Sequence, residues 1–409
     1  MAKQGSETAR LLDSIQLESF STDAERYDAK EAARRLLARL ETPFERGLAL
    51  TMETSALLPA LQVCQDLGVW SEWAEIHKKT NGASTQTLDD VVKMCNVPVE
   101  PNFLRRFLRH LAALHVLEET GVDEWEPTPF ALAMGDRSTY TDQLVQCGLY
   151  QCFPCGINLA RFLARNQYRE PLDTARFDNH ADTFGSVFFR YCQEHPEAGS
   201  SFIGMMAAVG NYKMDWTEVY DTDRLLDGAD MTGPTPLFVD IGGAHGLDTA
   251  RLLQKHPDLP PGAGLVVQDL PEVTTTTTHG GGAGGQLDPR VTRAAYDFFT
   301  PQPLVGARAY FFHAVPHDWP DEDCVRIFGN VRRAMTRGYS RLLVYEMVLP
   351  ARGASSLMTT LDLQLMSCLS GLERTEEHWR RLLGGVGFRI EKIWRHPRAV
   401  ESVIEAVVA

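Results

Sequence analysis

The chain has 409 residues, 44% of them hydrophobic, and a formal net charge of −14. This length suits two or three domains with real cores, and the acidic balance argues against a nucleic-acid partner. The opening MAKQGSETARLLDSIQLESF lacks a basic region followed by an apolar core, and no run approaches 18 uninterrupted apolar residues. The expectation is a cytoplasmic protein with no signal peptide and no membrane span.

In chain order, residues 6–135 read as helical. Leu57–Trp70 carries apolar residues near the 3.6 period and predicts one packed helix. Ser84–Val97 and Pro98–Val116 predict two helices with a turn between, and Glu118–Pro129 alternates like a short hairpin. Helix, turn, helix and wing can mark DNA binding, and Arg105, Arg106 and Arg109 lie on the second helix. The acidic whole favours a packing role instead. Eight cysteines in this length do not make a disulfide framework. Cys152-Phe-Pro-Cys155, with Cys147 nearby, lacks both a second zinc-ligand pair and the βαβ context of a redox pair, so these thiols read as small apolar residues. Residues 139–230 are helical and rich in aromatics and methionine, among them Phe162, Phe188, Phe202, Met205 and Met206. Such a stripe is ordinarily core, and beside a cofactor domain it is also the candidate wall of an apolar substrate pocket.

From residue 237 onward β and α patterns alternate. Strands are predicted at Leu237–Ile241, Gly264–Gln268, Val291–Tyr296, Arg308–Phe312 and Arg341–Glu346, with helices near 247–256 and 321–336. Phe388–Trp394 and Ser402–Val408 add two late strands, giving a parallel doubly wound α/β sheet. The run Thr274–Thr278 with Gly280–Gly285 reads as a surface insertion. The resulting division is 1–135, 136–230 and 231–409.

The most informative segment is LFVDIGGAHGLDTARLLQKHPDLPPGAGLVVQDLP, Leu237–Pro271. An apolar run ends in Asp240, and a small-residue turn (Gly242, Gly243, Ala244, Gly246) leads into a helix and a second apolar run ending in Asp269. The turn fits D-x-G-x-G-x-G with Ala244 at one glycine position, not the dinucleotide pattern G-x-G-x-x-G. Asp269 follows Gly246 by 23 residues, near the roughly 20 expected of an acid that binds a ribose diol. No Lys-Ser/Thr pair follows, so a ligand with a ribose and no pyrophosphate is favoured, which points to S-adenosylmethionine. Ala244 is tolerated there if its φ is negative.

A second constellation lies in AYFFHAVPHDWPDE, Ala309–Glu322. A strand delivers His317, Asp318 and Trp319 to its carboxyl end, the edge at which open α/β sheets bind ligands. Glu346 ends the next strand, and Glu373 follows a helix-like run. One histidine with two carboxylates suits a general base with orienting acids. A phenol of pKa about 10 and a free histidine of about 6.5 leave proton transfer uphill by roughly 5 kcal/mol, and a carboxylate on the far imidazole nitrogen narrows that gap. His313 and His317 on one strand would stand about 13 Å apart with no third ligand in view, so no metal is expected.

Together LFVDIGGAHG, VVQDLPEV, AYDFFTPQP, YFFHAVPHDWPDED, LLVYEMVLP and LERTEEHW occur in the order seen in S-adenosylmethionine-dependent O-methyltransferases related to plant caffeic acid and flavonoid O-methyltransferases. The chain resembles the fungal secondary-metabolite members over about residues 40–409. The resemblance implies a C-terminal Rossmann-like class I methyltransferase sheet and an N-terminal helical, winged-helix-like dimerisation domain, to which Thr128–Phe130 also points. It implies His317 as base flanked by Glu346 and Glu373. It places Gly242, Gly243 and Gly246 at the methionine end of the cofactor, Asp269 and Leu270 at its ribose, Asp297 and Phe298 at its adenine, and His313 nearby. Met206, Asp318 and Met366 would wall the acceptor, an aromatic or polyketide-like small molecule, and the protein would be a homodimer. Two departures stand out: Ala244 in the turn, and Pro316 directly before His317, which removes a donor and restricts Val315. A second reading keeps the cofactor as a fixed positive charge for dehydration or pericyclic ring closure. A third is a non-catalytic dimeric scaffold. The presence of His317 with both glutamates favours methyl transfer.

Overall fold

The structure is a computed structural model and describes residues 6–171, 177–231, 233–275 and 287–409. The chain divides into two compact units, residues 1–67 with 86–126 and residues 68–85 with 127–409.

In the first unit, helices Asp23–Leu40 and Pro43–Leu48 each open on a capping box, Thr22 with Glu25 and Thr42 with Glu45, which satisfies the orphan N–H groups of the first turn. Helix Leu88–Met94 and helix Pro101–Ala113 follow. Strands β1 (Gln86–Thr87), β2 (Leu117–Gly121) and β3 (Glu124–Pro127) form a small sheet in the order β1-β3-β2. The expected helix-turn-helix and hairpin are thus present. Arg105 and Arg109 pair with Asp123 at the hairpin tip (2.9 and 3.4 Å), so part of the basic face is neutralised within the unit. The helical run Pro43–Asp66 has a mean hydropathy of 1.2 over an 18-residue window and only 22% of that window is buried. By length and composition alone it could cross a membrane. Leu37, Leu40, Phe44, Leu50 and Met52 are all exposed.

The single helix expected at Leu57–Trp70 is two helices, Thr54–Asp66 and Val69–Lys79. Gly68 between them has φ 76°, a left-handed turn that a helix cannot continue through and that glycine adopts without cost.

The second unit is built on a seven-stranded sheet: β4 (Phe238–Ile241), β5 (Leu265–Asp269), β6 (Val291–Ala295), β7 (Ala309–His313), β8 (Arg341–Glu346), β11 (Phe388–Trp394) and β12 (Ser402–Val408). A two-residue pair, β9 (Val348–Leu349) and β10 (Arg374–Thr375), stands apart. The sheet order is β11-β12-β8-β7-β4-β5-β6. Strands β4 to β8 pair in parallel, but β12 runs antiparallel to both β8 and β11. The sheet is therefore mixed, not wholly parallel as expected, because the short link Arg395–Glu401 permits a hairpin and a parallel return needs a crossover of a dozen or more residues.

Strands β4, β7 and β8 are buried almost throughout, as strands covered by helices on both faces must be. Alternation splits their side chains between two cores. Val239, Tyr310, Phe312 and Val344 pack with Ile327, Phe328, Trp379 and Leu383 on one face. Phe238, Phe311, Leu343 and Tyr345 pack with Trp216, Leu252 and Leu253 on the other. Pro271–Thr275 forms a short helix; Thr276–Thr278 and Gly280–Gly285 of the expected insertion lie outside the described residues.

Cys155, Phe188 and Cys368 form a small apolar cluster with Cys152, Phe184, Cys192, Phe202 and Leu369 against it, and all eight cysteines are free thiols. The apolar reading of Cys152 and Cys155 agrees with this placement.

Candidate active site

The glycine turn leaves β4 at Ile241 and enters helix Leu247–Lys255 at Gly246. Gly242 and Gly246 have φ 73° and 78°, and Ala244 has φ 44°, so the negative φ assumed for Ala244 is not met. Its left-handed backbone, which strains an L-residue, is held from both sides. The Ala244 N–H donates to Asp269 Oδ2 (2.9 Å), and Arg293 on β6 donates to the carbonyls of Ala244 and His245 (2.9 and 3.1 Å). A Cβ on Gly242 would stand 2.7 Å from Val315 Cγ2. The turn and the segment that carries His317 therefore touch at the same sheet edge.

Asp269 ends β5 with Oδ1 accepting from Leu270 N (2.8 Å) and Oδ2 from Ala244 N. Each oxygen keeps a further lone pair, the donor-accepting capacity a ribose diol requires. Asp297 follows β6, with Oδ1 accepting from Phe299 N (2.9 Å). The Phe298 ring packs edge-on to Phe299 and Trp319. Asp269 and Leu270 thus stand at the carboxyl end of β5, and Asp297 and Phe298 just beyond that of β6.

His317 lies in a one-turn 3-10 segment, Pro316–Asp318, just beyond β7. Its Nδ1 is 3.0 Å from Glu373 Oε1 and 3.3 Å from Glu346 Oε2, and its backbone N–H donates to Glu346 Oε1 (3.2 Å). Asp318 Oδ1 is 3.6 Å from Nε2. The Glu346 side chain is 0% exposed and that of Glu373 3%. The single Nδ1–H bonds to Glu373; Glu346 Oε2 faces it as an ion pair, and Oε2 of each glutamate is buried with no hydrogen bond. With Pro316 before it, the ring turns Nδ1 to both glutamates.

Burial opposes a charge on His317, but Glu346, Asp318 and Glu373 outweigh it and raise the imidazole to about 10. Burial raises Glu346 against the opposing pull of His317, with Glu373 adding to the rise. Asp318 is pushed up to about 6 by burial, against His317. A hydroxyl of pKa about 10 could pass its proton to such an imidazole at little free-energy cost, which closes the gap left by a free histidine. With Nδ1 held by the glutamates, Nε2 is the nitrogen left to face an acceptor. The same three residues bring ligand atoms within 4.8 Å of one another, but their internal pairing already accounts for that proximity.

His313 ends β7 with Nδ1 2.6 Å from Asp248 Oδ2 and Nε2 3.3 Å from Glu401 Oε2. A neutral imidazole has one donor, so two carboxylate partners demand the charged ring. Burial opposes this, but Asp248 and Glu401 raise His313 to about 10. Lys213 Nζ joins Glu401 at 2.5 Å and Arg251 joins Asp248 at 3.3 Å. The sequence reading missed Asp248, Glu401, Lys213, Arg293 and Arg374. An acid in a first helical turn, as at Asp248, reads as an ordinary dipole partner; Arg374 lies within the run LERTEEHW with nothing local to show what it holds, and Glu401, Lys213 and Arg293 carry no local signal. Met366 lies on helix Ser356–Leu369, which leads into Glu373, and Met206 lies on helix Pro196–Tyr212, 40% exposed.

Residues 168–389 match the O-methyltransferase domain family. O-methyltransferase ATR12 of Stachybotrys chlorohalonatus is 36% identical over 407 residues, 99% of each chain. The structure of OxaC in complex with sinefungin and meleagrin superposes with a TM-score of 0.77 at 26% identity, over 98% of this chain and 96% of that one. A pericyclic reaction enzyme superposes with a TM-score of 0.86 at 23% identity, over 98% of this chain and 100% of that one, and shares the fold. With a family match over more than half its length and a full-length relative above one-third identity, the chain belongs to the S-adenosylmethionine-dependent O-methyltransferases of the fungal secondary-metabolite type.

Proposed function

We propose that this enzyme methylates a hydroxyl of an aromatic or polyketide-like metabolite and that His317 Nε2 takes the hydroxyl proton. The observation that carries this is the pair of buried glutamates on Nδ1 of a histidine whose turn abuts the glycine turn. S-adenosylmethionine supplies an electrophilic methyl on a sulfonium. Gly242, Gly243 and Gly246 would let the backbone approach its methionine end, Asp269 and Leu270 would hold the ribose, and Asp297 and Phe298 the adenine. Phe298, exposed Met206 and half-buried Met366 supply apolar surface, and in-line alignment of acceptor and methyl contributes up to about 7–11 kcal/mol in well-oriented reactions.

The exposed apolar residues of the first unit, Leu37, Leu40, Phe44, Leu50 and Met52, support a homodimer in which a second copy covers them. The winged-helix-like unit would serve dimerisation, with 136–230 as the acceptor segment and 231–409 as the cofactor domain. An acidic chain of this kind fits the cytoplasm.

The test is incubation with S-adenosylmethionine and a panel of phenols, read by mass spectrometry. The expected result is one added methyl per S-adenosylhomocysteine formed. An isomerised product without S-adenosylhomocysteine would replace this reading with the fixed-charge one.

A further inference from the structure

The turn that displays His317 cannot hold itself. Its own closures are the Trp319 N–H to Pro316 carbonyl bond, long at 3.3 Å, and the Asp318 N–H to Val315 carbonyl bond at 3.1 Å. Pro316 offers no N–H, and Ala314, two residues earlier, sits at φ 51°. Meanwhile three carboxylates pull on the ring from different directions. Something must fix the backbone against that pull.

Arg374 is placed to do so. Its side chain is 0% exposed. Nη1 donates to the Pro316 carbonyl (2.9 Å) and Nη2 to the Trp319 carbonyl (2.7 Å), the two carbonyls that flank His317 and Asp318. Nε donates to Asp321 Oδ1 (2.9 Å), and His378 Nε2 meets the other oxygen of that carboxylate at 2.6 Å. The guanidinium also lies over the Trp379 ring, 5.3 Å from its centroid, which sets its plane. Arg374 follows Glu373 directly, so the same short segment holds the ring through Glu373, the His317 carbonyl through Leu372 N–H (2.9 Å), and the turn through Arg374.

We infer that Arg374 is a positioning residue for methyl transfer: its planar fork staples the Pro316–Trp319 turn and so fixes where the His317 ring points. This rests on the reading of His317 as the base. Cys324 Sγ also lies within reach of both carbonyls (3.2 and 3.5 Å), but only the guanidinium meets them and the Asp321 carboxylate together from three nitrogens fixed in one plane; an ammonium carries its three donors on a single atom and cannot reproduce that fork.

The experiment compares wild type with Arg374→Lys and Arg374→Ala. Cofactor affinity, measured by calorimetry, should stay within about threefold, because the hydrogen bonds of Arg374 go to Pro316, Trp319 and Asp321 and not to the glycine turn. kcat should fall by at least about 10²-fold in both variants, the scale of an ångström of misplacement. Free guanidinium, well below denaturing concentration, should restore part of kcat to Arg374→Ala, and ammonium should not. If Arg374→Ala does not fold, Arg374→Lys decides the matter through kcat and through the NMR titration of His317, assigned with His317→Gln. That titration should fall toward the ordinary 6.5 as the ring loses its place among Glu346, Glu373 and Asp318. A Lys variant with wild-type kcat and an unmoved titration overturns the inference. If wild type methylates nothing but the His317 titration still falls in the variants, the staple stands and the functional reading is the one that fails.

Discussion

The approach of Gly371 to the back of the His317 turn sets a sharp test. Gly371 follows helix Ser356–Leu369, and a Cβ built on it would stand 3.2 Å from Asp318 Cα and 3.3 Å from the His317 carbonyl carbon, with the carbonyl oxygen closer still. Ordinary contact begins near 3.4 Å and contacts under 3.0 Å are essentially never seen, so Gly371→Ala must drive the two backbones apart by about 1 Å. A displacement of that size in a reacting geometry costs on the order of 10²-fold in rate. Gly371 is not left-handed, so alanine brings no φ penalty and the effect is purely one of approach. Gly384→Ala is the matched control: helix Glu376–Val386 leaves open space around it, and alanine there should stabilise by roughly 0.5–1 kcal/mol. Steady-state kinetics would show kcat down about 10²-fold in Gly371→Ala with cofactor affinity near wild type, against unchanged kcat in the control. A Gly371→Ala enzyme with wild-type kcat would refute the claim that the position of this turn limits the reaction.

Three further outcomes are expected. With His317 raised to about 10, the free enzyme carries an imidazolium at neutral pH and must share one proton, not two, with the acceptor; kcat/KM for an acceptor of pKa about 10 should therefore climb close to tenfold per unit from pH 7 to 9, and a flat profile there would remove the base assignment. Ala244→Gly should relieve the left-handed backbone at φ 44°; a strain of about 1–2 kcal/mol less the extra freedom of the unfolded glycine leaves about 0.5–1 kcal/mol of stabilisation, and a lowered denaturation midpoint would contradict it. Finally, His313 is raised to about 10, so its pairing with Asp248 and Glu401 stabilises fully below the unfolded value of about 6.5 and is lost as pH rises through about 10. Folding stability from urea titration should fall by up to about 1.4 kcal/mol per unit across that window through this group, and His313→Gln should make the fall shallower.

The difference between what the chain displays and what it conceals follows from how each residue finds its partners. Strands β4, β5, β7 and β8 are readable because helices cover both their faces, so each is a continuous apolar run stopped by a polar residue at the edge where ligands bind. Asp269, His313 and Glu346 are those stops, with Asp240 one residue short of the end of β4, and a local pattern suffices to find them. The direction of β12 was not legible, because it depends on where a hairpin lands and not on the strand's own alternation. The break at Gly68 was hidden as well, since one glycine within an apolar helical period is compatible with an unbroken helix.

The cations and acids that finish the site escape a linear reading for another reason. Asp248 and Glu401 reach His313 from 65 and 88 residues away, and Arg374 reaches Pro316 from 58. Neither Asp248 nor Glu401 can be dropped as mere surface charge: loss of either leaves His313 one counter-ion, and loss of Glu401 also takes the carboxylate partner of Lys213. The chemistry at His317 is thus written at a strand end, while the residues that hold it in place are specified only by the fold. Substitutions at Arg374 and Gly371 should consequently damage turnover as substitutions at Glu346 and Glu373 do, although the linear pattern around them says nothing of the turn they hold.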